Sequence, residues 1–406
     1  MDKLTLDRFK NALDQLPTES MAFSIAKYNV FNPLEQVIQE KKIKLLRNII
    51  DLIAHHPHSA RQDNFGSLFA SIQYDIQNRL LEIPDIDYLP LIIHSAEYSK
   101  ISTLYVASRI VSLYTLGELL NEYKQYVSNA RQFPEFDNAH GKGALLAYLS
   151  QELLLRGIPI DEYEPITTFL TAIRNKQHDE IQQMAWLPNR LMPVEQSLAR
   201  KRDFTEYAPK HSLYIGWGPS INWRFDQTYS SIGLKHTPRP KSPKLKELID
   251  PEIHERIIAV TEDWPRFTAH IFKARKTLRA SDISPALLAR SGGACFDSAS
   301  HIALQRISLR EVYKGLFATI EGGPTYGPGT TPAIARHRTW KSLSGLCGAA
   351  QAASVEEINT ICEQSQWFSF GADGTWFYAS LWGLGLIALR PDGKTLALFA
   401  ATSHPD

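Results

Sequence analysis

Cysteine, an excess of one charge sign and long apolar runs are all scarce in this chain of 406 residues. Three cysteines (Cys295, Cys347 and Cys362) cannot all pair, and a chain this long does not depend on disulfides, so a reducing cytoplasm is the expected compartment. The 44 Lys and Arg stand against 43 Asp and Glu, a balance without the basic surface that a phosphate backbone demands, so nucleic acid is not an expected partner. No apolar run approaches the roughly 20 residues needed to cross a bilayer. The longest, Leu381–Leu389, is interrupted by Gly383 and Gly385. Met1–Lys10 alternates charged with apolar residues and lacks the core of a signal peptide, so neither a membrane partner nor export is expected. Glycine is scarce in one half only. Five of the 22 glycines precede Phe204, whereas 14 lie between Ser291 and Asp406.

The glycine-poor half carries apolar stripes at helical spacing. Phe9, Ala12, Leu13 and Leu16 make the first, ended by Pro17. Asn32-Pro33 is a cap-plus-proline start for a long helix striped by Val37, Ile38, Leu45, Ile49, Leu52 and Ile53 and stopped at His55-His56-Pro57. Phe65, Phe69, Ile72, Ile76 and Leu80 predict a third helix, and Leu104, Ala107, Val111 and Tyr114 a fourth. Further helices are expected at 143–156, 165–174 and 191–201. Short polar joints between them point to a scaffold domain over 1–203, built as a bundle or as HEAT-like stacked hairpins.

Residues 204–249 read as an aromatic and proline-rich connector. Lys235–Lys246 holds five Lys or Arg, three prolines and no acid, a pattern that favours an extended, solvated linker. Residues 250–406 form the expected C-terminal α+β domain, and the fold class as a whole is mainly α. Helices are predicted at 251–261 and 264–279, with a short one opened by Ser284-Pro285. Thr331-Pro332 opens another, with Trp340, Leu343 and Leu346 facing inward and Gly348 closing it. Ser354-Val-Glu-Glu357 is a capping box. A hairpin of 386–390 and 395–400 turns on Pro391-Asp392-Gly393, with 367–370 as a third strand. Both faces of these strands carry apolar residues, so both should be covered.

The close of the chain, Leu389-Arg-Pro-Asp-Gly-Lys-Thr-Leu-Ala-Leu398 followed by Ala400-Ala-Thr402, resembles that of an uncharacterised bacterial family. That family is known mainly from soil actinomycetes and is described only as a domain of unknown function. Gly293-Ala-Cys-Phe296, Tyr326-Gly-Pro-Gly329, Thr339-Trp-Lys-Ser-Leu343, Trp376-Phe377 and Leu384-Gly-Leu386 resemble it as well, so the likeness spans residues 291–402. Family members carry an Asp before the Leu-Gly-Leu and acids at the terminus, where this chain has Gly383 and Ser403-His404. The resemblance implies a shared fold and no particular activity.

Gly292-Gly-Ala-Cys-Phe296 is the sharpest catalytic pattern. A cysteine in the first turn of a helix, preceded by glycines, suits a nucleophile because the helix N-terminus stabilises thiolate. His301, six positions on, would face away on such a helix. The expected bases are therefore His337 and His404, reaching Cys295 through the fold. Ala54-His-His-Pro-His58 lacks further ligands at metal spacing, so no metal site is expected. Glu321–Thr330 has the glycines of a phosphate loop without its Gly-Lys-Ser/Thr ending, and no cofactor is expected. Tyr326, Trp367, Phe370, Trp376, Phe377 and Trp382 make a dense aromatic group, the expected protein-binding surface. Two functions follow. One is a non-enzymatic cytoplasmic protein-binding or regulatory protein, with toxin neutralisation (an immunity-type role) as its natural bacterial use. The alternative is a thiol-dependent hydrolase or transferase built on Cys295.

Overall fold

The apolar stripes of the N-terminal half become helices wherever the computed structural model describes them. It describes residues 2–14, 34–56, 64–96, 103–130, 142–173, 179–196, 232–233, 245–261, 264–297, 299, 301–323, 330–378 and 383–402. The chain divides into two compact units, Met1–Ala185 with Lys201–Lys210, and Trp186–Arg200 with His211–Asp406.

In the first unit the helices are α1 (Asp2–Asp14), α2 (residues 34–39), α3 (Ile43–Ala54), α4 (Asn64–Leu81), α5 (Leu89–Ser95), α6 (Thr103–Leu113), α7 (Leu116–Ala130), α8 (Lys142–Leu155), α9 (Glu164–Ile173) and α10 (Asp179–Trp186). The expected single helix after Pro33 is broken in two. Gln39-Glu-Lys-Lys42 leaves a gap in the apolar stripe, and Lys41 takes a positive φ of 49° there. Its expected Asn32-Pro33 start lies outside the described residues. Helices pack on the next but one in the chain, as α3 on α5, α4 on α6, α6 on α8 and α7 on α9. This is the layering of stacked helical hairpins. At its centre α8 is buried on every side, and its polar residues are matched in place. Tyr123 OH donates to the Leu146 carbonyl (2.9 Å), and buried Glu152 accepts from Arg156 Nη1 at 2.6 Å.

Among the described residues the second unit is built on a seven-stranded antiparallel sheet in the order β1-β4-β5-β6-β7-β3-β2. Its strands are β1 (Ile232–Gly233), β2 (Leu245–Leu248), β3 (Arg266–Ala274), β4 (His301–Ile307), β5 (Gln366–Ala372), β6 (Gly383–Leu389) and β7 (Thr395–Thr402). The sheet is thus much larger than the hairpin and third strand legible in the sequence. Its helices are α11 (Pro251–Ile257), α12 (Pro285–Ala289), α13 (Leu309–Gly322), α14 (Pro332–Cys347), α15 (Val355–Gln364) and α16 (Thr375–Tyr378).

Three expectations are corrected here. Residues 266–274, predicted helical, form β3, because pairing with both β7 and β2 overrides a local pattern that alternates only in part. Residues 245–248, expected in the connector, form β2. Residues 191–196 make turns and no helix, since Pro193 interrupts them and Glu195 is drawn inward.

Strand alternation gives the sheet two apolar faces, and both are covered, as the hairpin sequence required. One carries Phe368, Phe370, Ile387, Leu389, Leu396 and Leu398 beneath Leu287, Leu288, Phe296, Trp376 and Phe377. Against the other pack α13 and α14. The punctuation of α14 is as predicted, with Pro332 in the first turn and Gly348 in the left-handed conformation at φ 77°. The Ser354–Glu357 capping box of α15 is present in both directions. Among the described residues no helix is long and apolar enough to cross a membrane.

Candidate functional site

The structure places Cys295 where a thiol is chemically quiet. The expected helix is a single three-residue turn, Ala294–Phe296, and the side chain is fully buried in the apolar cluster under Phe296, Phe370, Trp376 and Phe377. Burial pushes the Cys295 thiol up to about 12, with Asp297 adding to the effect, so the group is held protonated at neutral pH. His337 lies on α14, which contributes no residue to that cluster. It is itself buried edge-on to Trp186 (5.6 Å between ring centroids). Burial, then the charges of Lys341 and Arg338, lower it to about 3. His404 falls outside the described residues.

His301 starts β4 instead of continuing a helix. Asp373 accepts from its backbone N–H (2.7 Å) and pairs with ring Nδ1 (2.8 Å). In the His55-His56 pair, His55 Nδ1 meets the Asp51 carbonyl at 2.8 Å and buried His56 stacks on Phe69 at 4.6 Å. His58 lies outside the described residues.

Of the expected aromatic surface, Trp367, Phe370, Trp376 and Phe377 are interior, between 0% and 9% exposed. Tyr326 and Trp382 lie outside the described residues. Aromatic density marked a core because β5 is a central strand with both faces covered.

Sequence reasoning passed over Glu195. Its carboxylate is wholly buried and accepts Arg336 Nε (2.7 Å) and Nη2 (2.9 Å), Tyr313 OH (2.7 Å), Trp340 Nε1 (2.8 Å) and the Met192 amide (2.7 Å). Burial opposes the charge, but Arg336 and these donors outweigh it and hold the carboxyl below its usual range. Arg336 also donates to the carbonyls of Pro188 and Arg190, so this closed network pins the 186–196 segment to α13 and α14.

A more open group sits on β2 and β3. Thr268 and His270 share a face of β3, two positions apart, and register Glu247↔Phe272 brings Glu247 to the same face from β2. His270 Nε2 lies 2.8 Å from Thr268 Oγ1, and Nδ1 lies 2.6 Å from Glu247 Oε1. The ring also stacks on Phe272 at 5.7 Å, and its side chain is 20% exposed. Arg266, on the same face, holds its guanidinium 4.2 Å above the Trp376 ring. At the margin of the opposite face are Leu248 and Phe267, 38% and 37% exposed, followed by Ile249 at 93%. A one-dimensional reading had no handle on this site, because its members are joined only by the pairing of two strands, one of them expected as linker and the other as helix.

No curated protein and no solved structure matches the chain. The family likeness first seen over residues 291–402 extends well into the helical half, and the chain belongs to a family of unknown function, DUF6183, whose family model matches residues 108–404.

Proposed function

We propose that the protein is a protein-binding, regulatory protein whose recognition element is the outer edge of β2. One observation carries this reading. In the second unit, the large apolar side chains exposed among the described residues are Leu248, Ile249 and Phe267, all at this one margin. Among the described residues β2 pairs with β3 alone. A terminal strand offers a row of backbone donors and acceptors to an incoming extended segment, and exposed apolar side chains beside it supply affinity. The sequence leading into β2, with five Lys or Arg and no acid, favours a partner segment flanked by acids. The thiol-hydrolase alternative is less favoured, because Cys295 is buried and protonated. Whether the use is regulation or toxin neutralisation rests on the identity of the partner.

The natural cysteines are all buried, so Ile249→Cys can be labelled selectively with a benzophenone maleimide and irradiated in native lysate. The expected product is an adduct to one heterologous protein. Adding Leu248→Asp should abolish it, and the purified partner should slow amide exchange in 245–248. An adduct only to a second copy of the chain, or one indifferent to Leu248→Asp, would overturn the proposal.

A further inference from the structure

We infer that Glu247, His270 and Thr268 form a hydroxyl-activating relay, and that Thr268 Oγ1 takes acyl groups from activated carboxylic esters. The inference is independent of the docking reading. It rests on which atom must hold each proton. An ionised Glu247 only accepts, so the 2.6 Å contact places the imidazole proton on Nδ1. When the ring is neutral Nε2 is then an acceptor, and the 2.8 Å contact to Thr268 is a hydrogen bond donated by the threonine hydroxyl. Hydroxyl, imidazole and carboxylate are therefore linked in the order by which a base activates a weak nucleophile and a carboxylate orients that base.

The surroundings hold this arrangement in place. Stacking on Phe272 fixes the ring plane, and a strand is a stiffer platform than a loop. Thr268 and His270 are partly exposed, so a small ester can reach them, in contrast to the sealed Cys295. Arg266 stands two residues before Thr268 on the same face of β3, with its guanidinium over the Trp376 ring. Beneath it the Trp376 indole N–H is buried, with no hydrogen-bond partner among the described residues.

In the acylation step Thr268 Oγ1 bonds to the ester carbonyl carbon while its proton passes to His270 Nε2. The bond from that carbon to the leaving oxygen breaks, and the alkoxide or phenolate leaves with the electron pair. The imidazolium, steadied by Glu247, returns the proton to the leaving group or to water. Hydrolysis repeats the sequence with water as nucleophile, deprotonated by His270, and releases the acid and Thr268.

p-Nitrophenyl acetate is the probe, applied to the full chain, with p-nitrophenolate release followed in time and the acetylated peptide mapped. The expected result is one acetyl group on Thr268 and release that falls about 100-fold in His270→Gln, the scale of general-base assistance. Thr268→Val should lose the acetyl mark, Thr268→Ser should retain it, and Glu247→Gln should slow release with the fold intact. Retention of the acetyl mark in Thr268→Ser, which keeps the hydroxyl and the strand, guards against misfolding as the cause of its loss in Thr268→Val. Release unchanged in Thr268→Val, or acetyl groups found only on lysines or on the imidazole, would overturn the assignment.

Discussion

Glu195 shows what one side chain contributes once every neighbour is dry. Its two oxygens accept five hydrogen bonds, and the guanidinium it faces is as deeply buried as itself. Removing one partner of such a pair leaves an uncompensated buried charge, which costs about 3–5 kcal/mol. Glu195→Gln is therefore expected to lower the unfolding free energy of the second unit by that amount in urea titration. Adding Arg336→Met should recover part of the loss, because the stranded charge is then removed. The same environment argument governs the Cys295 thiol. Cys295 should resist iodoacetamide in the native protein at pH 7 and react once the chain is unfolded, with mapping by mass spectrometry as the check. The glycines before it made Cys295 legible as a candidate, whereas its burial was not legible. A residue's neighbours in sequence carry no record of the strands that will cover it.

At the scale of elements, legibility followed how local the determinant is. The capping box of α15, the proline entry and Gly348 exit of α14, and the Pro391-Asp-Gly393 turn are set by a few adjacent residues, and all were correct in advance. Asp392 completes that turn by accepting from the amides of Lys394 and Thr395, each at 2.8 Å. β3 was not legible as a strand, and neither was β2, because each is defined by its partner across the sheet. Close approach between elements is equally non-local. Gly385 on β6 lies so near β5 that an added Cβ would sit 2.3 Å from the Phe370 carbonyl oxygen. Gly385→Ala is expected to force the strands apart and to destabilise the sheet by about 1–3 kcal/mol, the usual cost of overpacking. A shift of the urea midpoint at constant slope would show it.

For the molecule as a whole, the buried titratable groups determine how stability responds to acid. His337 is lowered in the fold to about 3 from an ordinary value of 6.5, so between those values the unfolded chain binds a proton that the native state refuses. Stability is therefore full above about pH 6.5 and declines as pH falls toward 3. Glu195 acts in the same direction, since its lowered carboxyl favours the fold above the ordinary carboxylate range and loses that contribution on protonation. All eight tryptophans lie at residue 186 or later, with Trp186 at the boundary where α10 ends and the second unit begins, so their fluorescence reports chiefly the second unit. In urea titrations by that signal, His337→Gln should flatten the stability profile between about pH 4 and 6.5 while leaving the carboxylate-driven loss below it.

The sequence by itself determined the helical character of the first half, the helix ends and the terminal hairpin of the second, and membership of a family. Each of these is encoded in spacing or in short runs of residues, where propensity and capping act without help from afar. Only the tertiary structure decided that Cys295 and the rings of Trp367, Phe370, Trp376 and Phe377 are interior, that Glu195 anchors a segment expected to be helical, and that Thr268, His270 and Glu247 meet. The physical reason is that burial and proton placement depend on which strands become neighbours, and strand pairing is a contact between residues far apart in the chain.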